Sequence, residues 1–460
     1  MSSPTHDRSI FDALAARLAK DPGTPVNDPT ESFWQVPKLP IADARSEHLP
    51  EDADVVVIGS GIAGISTSLH LLRQDRSLKI VMLEARSAIS GATGRNGGHI
   101  KAVPWADYYA LKEEFGKESA IKITKFRLSH LDALVGEAAA LGEAGKVGLV
   151  RRVEGVSGVY DEEGWKLAKV KLHSFLEDFP EEKGKWTRCE DHAELKMLNE
   201  GQLSLETQTV AQEVRRTQST SYPYEVHTSR GVISTKHVIH CTNAYTAHLL
   251  PALKGKLWPL RGQMTVQSVP EAFPRVGGTR SWSAIWATGF DYITQSPAED
   301  GSLYLGGGFL QGGPEKDQDL GCTDDSALSA QCLEHLEAVP SKAFVHGTGA
   351  KVEKKWTGIM GFTGNGLPMV DRVRSYLSGR EECESALGGE WIAAGWDGYG
   401  MVHCWLAGKA LAAMVTGHED EVLDWFPRDE FACSKERLDK MSAVGALRRF
   451  FGSLTSEDKG

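Results

Sequence analysis

The sequence predicts an α/β protein, a Rossmann-type nucleotide-binding domain split in sequence beside a second α+β domain built on a largely antiparallel sheet. Three observations predict it. Asp54-Val-Val-Val-Ile-Gly-Ser-Gly-Ile-Ala-Gly64 runs four apolar β-formers into glycines at 59, 61 and 64. Near the other end of the chain, Trp391-Ile-Ala-Ala-Gly-Trp-Asp-Gly-Tyr-Gly-Met401 repeats the strand and glycine turn. Between them, residues 255–352 alternate apolar and polar side chains with interleaved aromatics, the period-2 pattern of strands.

In chain order, residues 1–50 predict an arm with one amphipathic helix near Ile10 to Ala19 and a loop rich in Pro and Asp, whose Phe33-Trp34 tuck against the main body. Val55 to Ile58 then form a buried parallel strand. Gly59 permits the tight turn, Gly61 lets backbone approach a pyrophosphate, and Gly64 lets the next helix, about Ile62 to Arg73, pack closely on the sheet. That helix aims free N–H groups and about half a positive charge at the phosphate. A second β-run, Lys79 to Glu84, ends on a carboxylate about 25 residues after Gly59. Such an acid accepts hydrogen bonds from two ribose hydroxyls and repels a 2′-phosphate.

The loop Ser90-Gly-Ala-Thr-Gly-Arg-Asn-Gly-Gly-His99 carries too many glycines for a strand or helix and lets backbone lie flat against a ligand. A long helix from about Lys117 to Leu141, an extended run near Gly148 to Val159 and a helix from Glu163 to Glu177 lead toward the second domain. Strands at Leu203–Val210, Tyr224–Thr228 and Lys236–Asn243 return to the first, before the antiparallel sheet and the closing strand, turn and helix at Val402–Val415. The predicted division is an arm (1–50), a nucleotide domain (51–140, 200–255 and 355–430), a substrate domain (141–199 and 256–354) and a tail (431–460).

A chain of 460 residues exceeds the usual single core. Its net charge of −11 argues against nucleic-acid and anionic-membrane partners, because phosphate affinity needs clustered Lys and Arg. Seven cysteines without a CxxC pair give neither a zinc template nor a disulfide framework and suggest a reducing compartment. No metal site is expected. No apolar run approaches roughly 18 residues and no leader pattern is visible, so a cytoplasmic location away from membranes is expected. No heptad or other interface signature predicts an oligomeric state.

The position of the second glycine turn selects the cofactor. The halves of a simple NAD domain follow one another in sequence, which ranks an NAD-only dehydrogenase last. A return of strand, turn and helix at the C-terminus suits FAD, with the helix start near Gly400 and Met401 set against the flavin edge where charge develops on reduction.

Taken together, Val55 to Gly64, Glu84-Ala-Arg86, Gly91 to Gly98, Thr242-Asn-Ala, Pro259-Leu-Arg-Gly-Gln263 and Gly395 to Met401 resemble the FAD-dependent oxidoreductases of the D-amino-acid oxidase superfamily. The similarity is strongest to the γ-glutamylputrescine oxidase-like fungal branch, of which the Gly-Arg-Asn-Gly-Gly loop and Trp356-Thr-Gly-Ile-Met-Gly361 are typical. The resemblance implies hydride removal from the C–N bond of an amine or amino acid, giving an imine, with dioxygen or another acceptor reoxidising the flavin. It implies Gly59, Gly61, Ile62, Ala63 and Gly64 at the pyrophosphate, Glu84 and Ala85 at the adenosine ribose, and Arg86 and the Val210 backbone at the adenine. Ala92, Thr93, Gly94, Arg95, Asn96, Gly97 and Gly98 would run along pyrophosphate and isoalloxazine. Thr242, Asn243, Gly395, Asp397, Gly398, Tyr399, Gly400 and Met401 would complete the site.

His99 is the candidate for tuning the amine's protonation, and Tyr292 and Trp282 are candidate pocket walls. The cysteine that carries flavin covalently in the sarcosine oxidases has no counterpart in residues 356–362, so non-covalent FAD is expected. The lysine those relatives place over the flavin matches Tyr304 on a loose alignment, which leaves the electron acceptor open. A stretch of about 30 residues that builds part of the pocket in relatives is missing around Glu190–Gly201. Two alternatives stay open on that account: a tailoring enzyme of secondary metabolism, and a degenerate flavin-binding protein with an altered pocket.

Overall fold

The run Val55–Ile58 is apolar at every position because both of its faces are buried. In the computed structural model of the protein, which describes residues 12–186, 204–309, 318–383, 388–445 and 447, it is the centre of strand β1 (Asp52–Ile58). Val55 and Val57 enter one core with helix α2 (Ile62–Gln74), while Val56 and Ile58 enter another. This is the pattern of a central parallel strand. β2 (Ile80–Leu83), β4 (Ser204–Glu206), β7 (Gly231–His240) and β14 (Gly389–Ala394) join it in the order β14-β7-β1-β2-β4, all parallel. β13 (Met369–Arg372) adds an antiparallel edge, and β5 (Ala211–Arg216) and β6 (Tyr224–Thr228) form a meander off β7.

The C-terminal β14 therefore sits in the sheet nucleated by the N-terminal β1, which is the split the sequence predicts. The helix after it, α10 (Cys404–Val415), packs on α2 so tightly that a Cβ on Gly408 would lie 2.6 Å from Ser66 Cβ. Helices α3 (Pro104–Phe115), α4 (Lys117–Ala140) and α6 (Glu162–Asp178), with the short α5 (Glu143–Val147) between the last two, stand behind this pair. Phe126 of α4 and Phe175 of α6 are buried in the core of the first sheet.

The second sheet runs β12-β8-β11-β10-β9-β3, from Lys351–Thr363, Leu257–Ser268, Leu303–Gly307, Phe290–Gln295, Arg280–Ile285 and Glu154–Val159 in that order. It is antiparallel except at the β3–β9 edge. Alternation sorts its side chains. Ile293, Leu303 and Leu305 face α8 (Ala330–Ala343), and Tyr292 and Thr294 face the first domain.

Several elements differ from the sequence expectation. Helix α8 interrupts the predicted run of strands, its Pro340 tolerated in the last turn, and α3 and β5 carry no clear period. Strand β12 crosses the predicted boundary at 355 and bonds along its length to β8. The helix expected near Ile10 to Ala19 is described from residue 12 and spans 12–18 as α1, with Leu14 and Leu18 buried against Trp258 and Leu320. Of the predicted tail, Cys433, Leu438 and Met441 are buried, and Leu447 packs beside Leu18. The shortened segment Glu190–Gly201 lies outside the described residues. No helix among the described residues is long and apolar enough to cross a membrane.

Candidate active site

Between the C-terminal ends of β1, β2 and β7 and the inner face of the second sheet lies a cavity of about 680 Å³. An open α/β sheet places ligands at that edge, and the volume falls in the range of small-molecule sites. Its floor is the first glycine turn. Gly59 has φ +114°, and a Cβ there would stand 2.5 Å from the Cys241 carbonyl oxygen; one on Gly64 would stand 2.1 Å from the Gly59 carbonyl oxygen. Gly61 caps α2 in extended conformation, and Ile62 N–H donates to Thr93 Oγ1 at 3.0 Å. Gly59, Gly61, Ile62 and Ala63 line the cavity, while Gly64 lies beneath it.

Glu84 and Ala85 line the cavity at the end of β2. The Glu84 carboxylate accepts from Ser60 N–H (3.2 Å) and Oγ (2.6 Å) and from Arg86 N–H (3.1 Å), which fixes its direction. The arginines expected at the ligand are engaged elsewhere. Arg86 forms a two-pronged pair with Asp325 (2.9 and 3.1 Å) and reaches the Val26 and Ser90 carbonyls. Arg95 donates to the carbonyls of Ser90, Thr30 and Thr357 at 2.7, 2.8 and 2.7 Å. Burial, which disfavours its charge, pushes Arg95 down to about 10, and neighbouring Asp325 opposes that shift. Buried cations need such partners, so both arginines brace the cleft that they also line. Val210, whose backbone is expected at the adenine, lines the cavity, and its N–H donates to Ser229 Oγ at 3.1 Å.

The glycine loop folds as a single 3-10 turn, Ala92–Gly94, with Ala92, Thr93, Asn96 and Gly97 facing the cavity. Gly94 is buried against the Ile89 carbonyl, and Gly98 is exposed. Indoles hold the loop's carbonyls, Trp34 on Asn96 (2.6 Å) and Trp356 on Arg95 (2.8 Å). Two residues that carry side chains adopt positive φ around the closing turn, Asn243 (45°) after β7 and Asp397 (49°) in the turn itself, beside Gly395 and Gly398. Asn and Asp tolerate that region best among side chains. Asn243 Oδ1 accepts from Gly395 N–H at 3.0 Å, and Asp397 accepts from Thr363 N–H (3.1 Å) and Oγ1 (2.9 Å). The ends of β7, β12 and β14 are thereby tied together, with Thr242, Asn243, Asp397, Gly398, Gly400 and Met401 on the cavity wall and Gly395 behind it.

Tyr399 also lines the wall, but its hydroxyl donates to Asp107 at 2.9 Å while the Arg127 guanidinium stacks 4.8 Å from its ring. Gly400–Val402 is a 3-10 turn, and α10 begins only at Cys404. The Leu406 N–H at its start donates to His130 Nε2 at 3.2 Å. The helix-dipole contribution expected at Gly400 and Met401 is correspondingly displaced to residue 404 and capped by an imidazole.

A second group of cavity residues comes from the segment after the glycine loop and from the second sheet. His99 stands edge-on to Tyr292 at 5.8 Å, and neither of its shielded ring nitrogens has a hydrogen-bond partner. Burial, with the Lys101 and Arg151 cations nearby, pushes it down to about 3, so it is neutral. Lys101 reaches Ser283 Oγ at a long 3.5 Å, burial pushes it down to about 8, and among the described residues no carboxylate pairs with it. Tyr292 fits the space left by Gly97 and Gly306, where Cβ atoms would lie 2.7 and 2.3 Å from its ring; burial, then Asp291, pushes its hydroxyl up to about 12.

Two expected pocket residues lie elsewhere. Tyr304 sits outside the cavity, ringed by Phe33 (5.2 Å) and Trp34 (4.6 Å). Trp282 packs on Phe344 behind the sheet, because its neighbour Ser283 takes the cavity face and successive strand residues alternate. Lys101 and Ser283 were not signalled by any motif. A clue to the first is Gly155 on β3, whose missing Cβ leaves room 2.6 Å from Lys101 Cε.

These residues fit FAD. A cradle that any Cβ would fill lies at a helix N-terminus, a fixed carboxylate stands where a ribose belongs, and orphaned imidazole nitrogens await a partner beyond. A family model described as FAD dependent oxidoreductase matches residues 54–182 and 192–414. The γ-glutamylputrescine oxidoreductase of Escherichia coli (strain K12) is 22% identical over 404 residues, 79% of this chain and 84% of that protein. Among solved structures, glycine oxidase from Geobacillus kaustophilus superposes with a TM-score of 0.56 at 16% identity, over 84% of this chain and 99% of that one. L-proline dehydrogenase from P. horikoshii superposes at 0.55 and 19% identity, over 82% and 98%. At these identities the two structures speak for the fold alone.

Proposed function

The chain belongs to the FAD-dependent oxidoreductase family, and from that premise we propose that it oxidises the C–N bond of a small amino acid or N-substituted amino acid to the imine. When bound, FAD supplies the two-electron acceptor for the hydride leaving carbon. The observation that carries the substrate class is Lys101, a half-buried ammonium that lines the cavity with no carboxylate partner among the described residues. A cation left unpaired in a low-dielectric site favours a ligand that brings the missing anion.

The surrounding residues suit the amine half of such a substrate. At a pKa of about 3, His99 cannot remove a proton from an ammonium; it offers an uncharged acceptor to an N–H instead. The Lys101 cation nearby lowers the pKa of a bound amine, so both residues favour the neutral amine that hydride departure requires. Tyr292 walls the pocket, and Phe290, itself exposed to solvent, lines its mouth. The named relatives act on substrates within this range, glycine, L-proline and γ-glutamylputrescine, by their names alone. Tyr304 lies outside the cavity, so it gives no ground for choosing the electron acceptor.

Anaerobic mixing of the holoenzyme with amino acids and with their decarboxylated amines, followed by flavin bleaching, tests this. The carboxylated member of each pair should bleach the flavin faster, and Lys101→Met should lower its kcat/KM about 100-fold, the loss of roughly 3 kcal/mol typical of truncating a buried charge pair, while sparing the amine. Diamines reducing the flavin as fast as amino acids, with Lys101→Met affecting both alike, would overturn the assignment.

A further inference from the structure

We propose that the N-terminal arm, which lies before the family match at residue 54, is a strap that forms part of the dinucleotide site and controls cofactor release. Gly23, Thr24 and Pro25 line the same cavity as Glu84 and Arg86. They are held from both sides. Upstream, the Asp21 carboxylate accepts from Gly23 N–H at 2.8 Å and pairs with His248 at 2.9 Å and Lys254 at 2.8 Å. Downstream, Arg86 donates to the Val26 carbonyl at 3.2 Å, and Thr30 is fixed by Asp325, Arg95 and Thr357.

The two anchors differ in kind. Thr30 is bonded to groups that are themselves buried, including Asp325 and Arg95. Asp21 is 41% exposed and its partners about a third exposed, so solvent and salt weaken that anchor. Among the described residues, no backbone hydrogen bond joins Gly23–Pro25 to the body between these points. Gly23, at φ +64° with nothing within 4 Å of a notional Cβ, provides a pivot. The stretch from Asp21 to Val26 can therefore lift from its upstream end while α1 and Thr30 stay packed. A dinucleotide seated along the first glycine turn would have this strap as one wall and would leave when it lifts.

The test is the rate of FAD release from the full-length holoenzyme on dilution, followed by the fluorescence of freed flavin. Asp21→Ala should speed release about five- to tenfold, with Asp21→Glu restoring most of the slow rate and the apoprotein unfolding midpoint unchanged. Raising ionic strength should speed release from the parent protein and leave Asp21→Ala unaffected, a response that a purely structural role for Asp21 would not produce. Lys440→Ala, which removes a more exposed ion pair with Glu436 remote from the cavity, is the control and should release FAD at the parent rate. Equal release from Asp21→Ala and the parent, or equal acceleration by Lys440→Ala, would overturn the proposal.

Discussion

The first glycine turn is made of backbone, whereas the pocket around His99 is made of side chains drawn from distant parts of the chain. In the turn, Gly59 and Gly64 are fixed by contacts between main-chain atoms, and the cleft wall is set once β1 and α2 form. In the pocket, Lys101 and His99 follow the glycine loop, Tyr292 and Ser283 come from β10 and β9, and Gly97 and Gly306 clear the space they occupy. The comparison teaches that anchoring a dinucleotide tolerates almost no change of shape, while choosing a substrate rests on which charges are left unmatched.

The largest effect should come from filling the backbone cradle. A methyl group on Gly64 would sit 2.1 Å from a main-chain oxygen that has nowhere to go, so Gly64→Ala should cost about 3 kcal/mol or more. Thermal unfolding should fall by roughly 3 °C or more, and the purified protein should lose bound flavin. Gly278→Ala, at an exposed site away from the cavity where nothing lies within 4 Å, is the matched control and should leave both unchanged. Equal tolerance at the two positions would remove the distinction between cradle and ordinary turn.

The side-chain end should respond to pH where the cradle does not. Lys101 is charged below about pH 8, so inhibition by a simple carboxylate should hold steady up to there and weaken about tenfold per unit above it. Lys101→Met should abolish that dependence. The same shift gives a sign for stability. The unfolded lysine keeps its proton up to about 10.5 while the folded one loses it near 8, so its burial disfavours folding below pH 8 and that penalty fades as pH rises between the two values.

The smallest effect is expected at Tyr304. It contributes an aromatic cluster with Phe33 and Trp34 that Tyr304→Phe retains, so the substitution should cost no more than about 1 kcal/mol of stability. The rate at which dioxygen reoxidises reduced flavin should stay within about twofold of the parent, as measured by stopped flow. A large change in that rate would return Tyr304 to the reacting end of the cleft.

The strands, the turn at Gly59–Gly64 and the acid at Glu84 were legible because each is a statement about neighbours in sequence: an apolar run, a positive φ, a carboxylate closing a strand. Asn243 and Asp397, flagged only as members of motifs, proved to be the two side chains in left-handed backbone that tie β7, β12 and the C-terminal turn together. Arg86, Arg95 and Val210 line the cavity, as the resemblance implies, but what the motifs do not encode is that Asp325, Thr30, Thr357 and Ser229 engage several of their polar groups from far along the chain.

By itself, then, the sequence determined the architecture, the split nucleotide domain and the class of cofactor, since backbone conformation and burial period are local constraints. Only the tertiary structure decided which charges are neutralised and which are left to a ligand. Charge compensation acts through space between residues such as Arg86 and Asp325, and no spacing along the chain encodes that Lys101 goes without a carboxylate partner among the described residues.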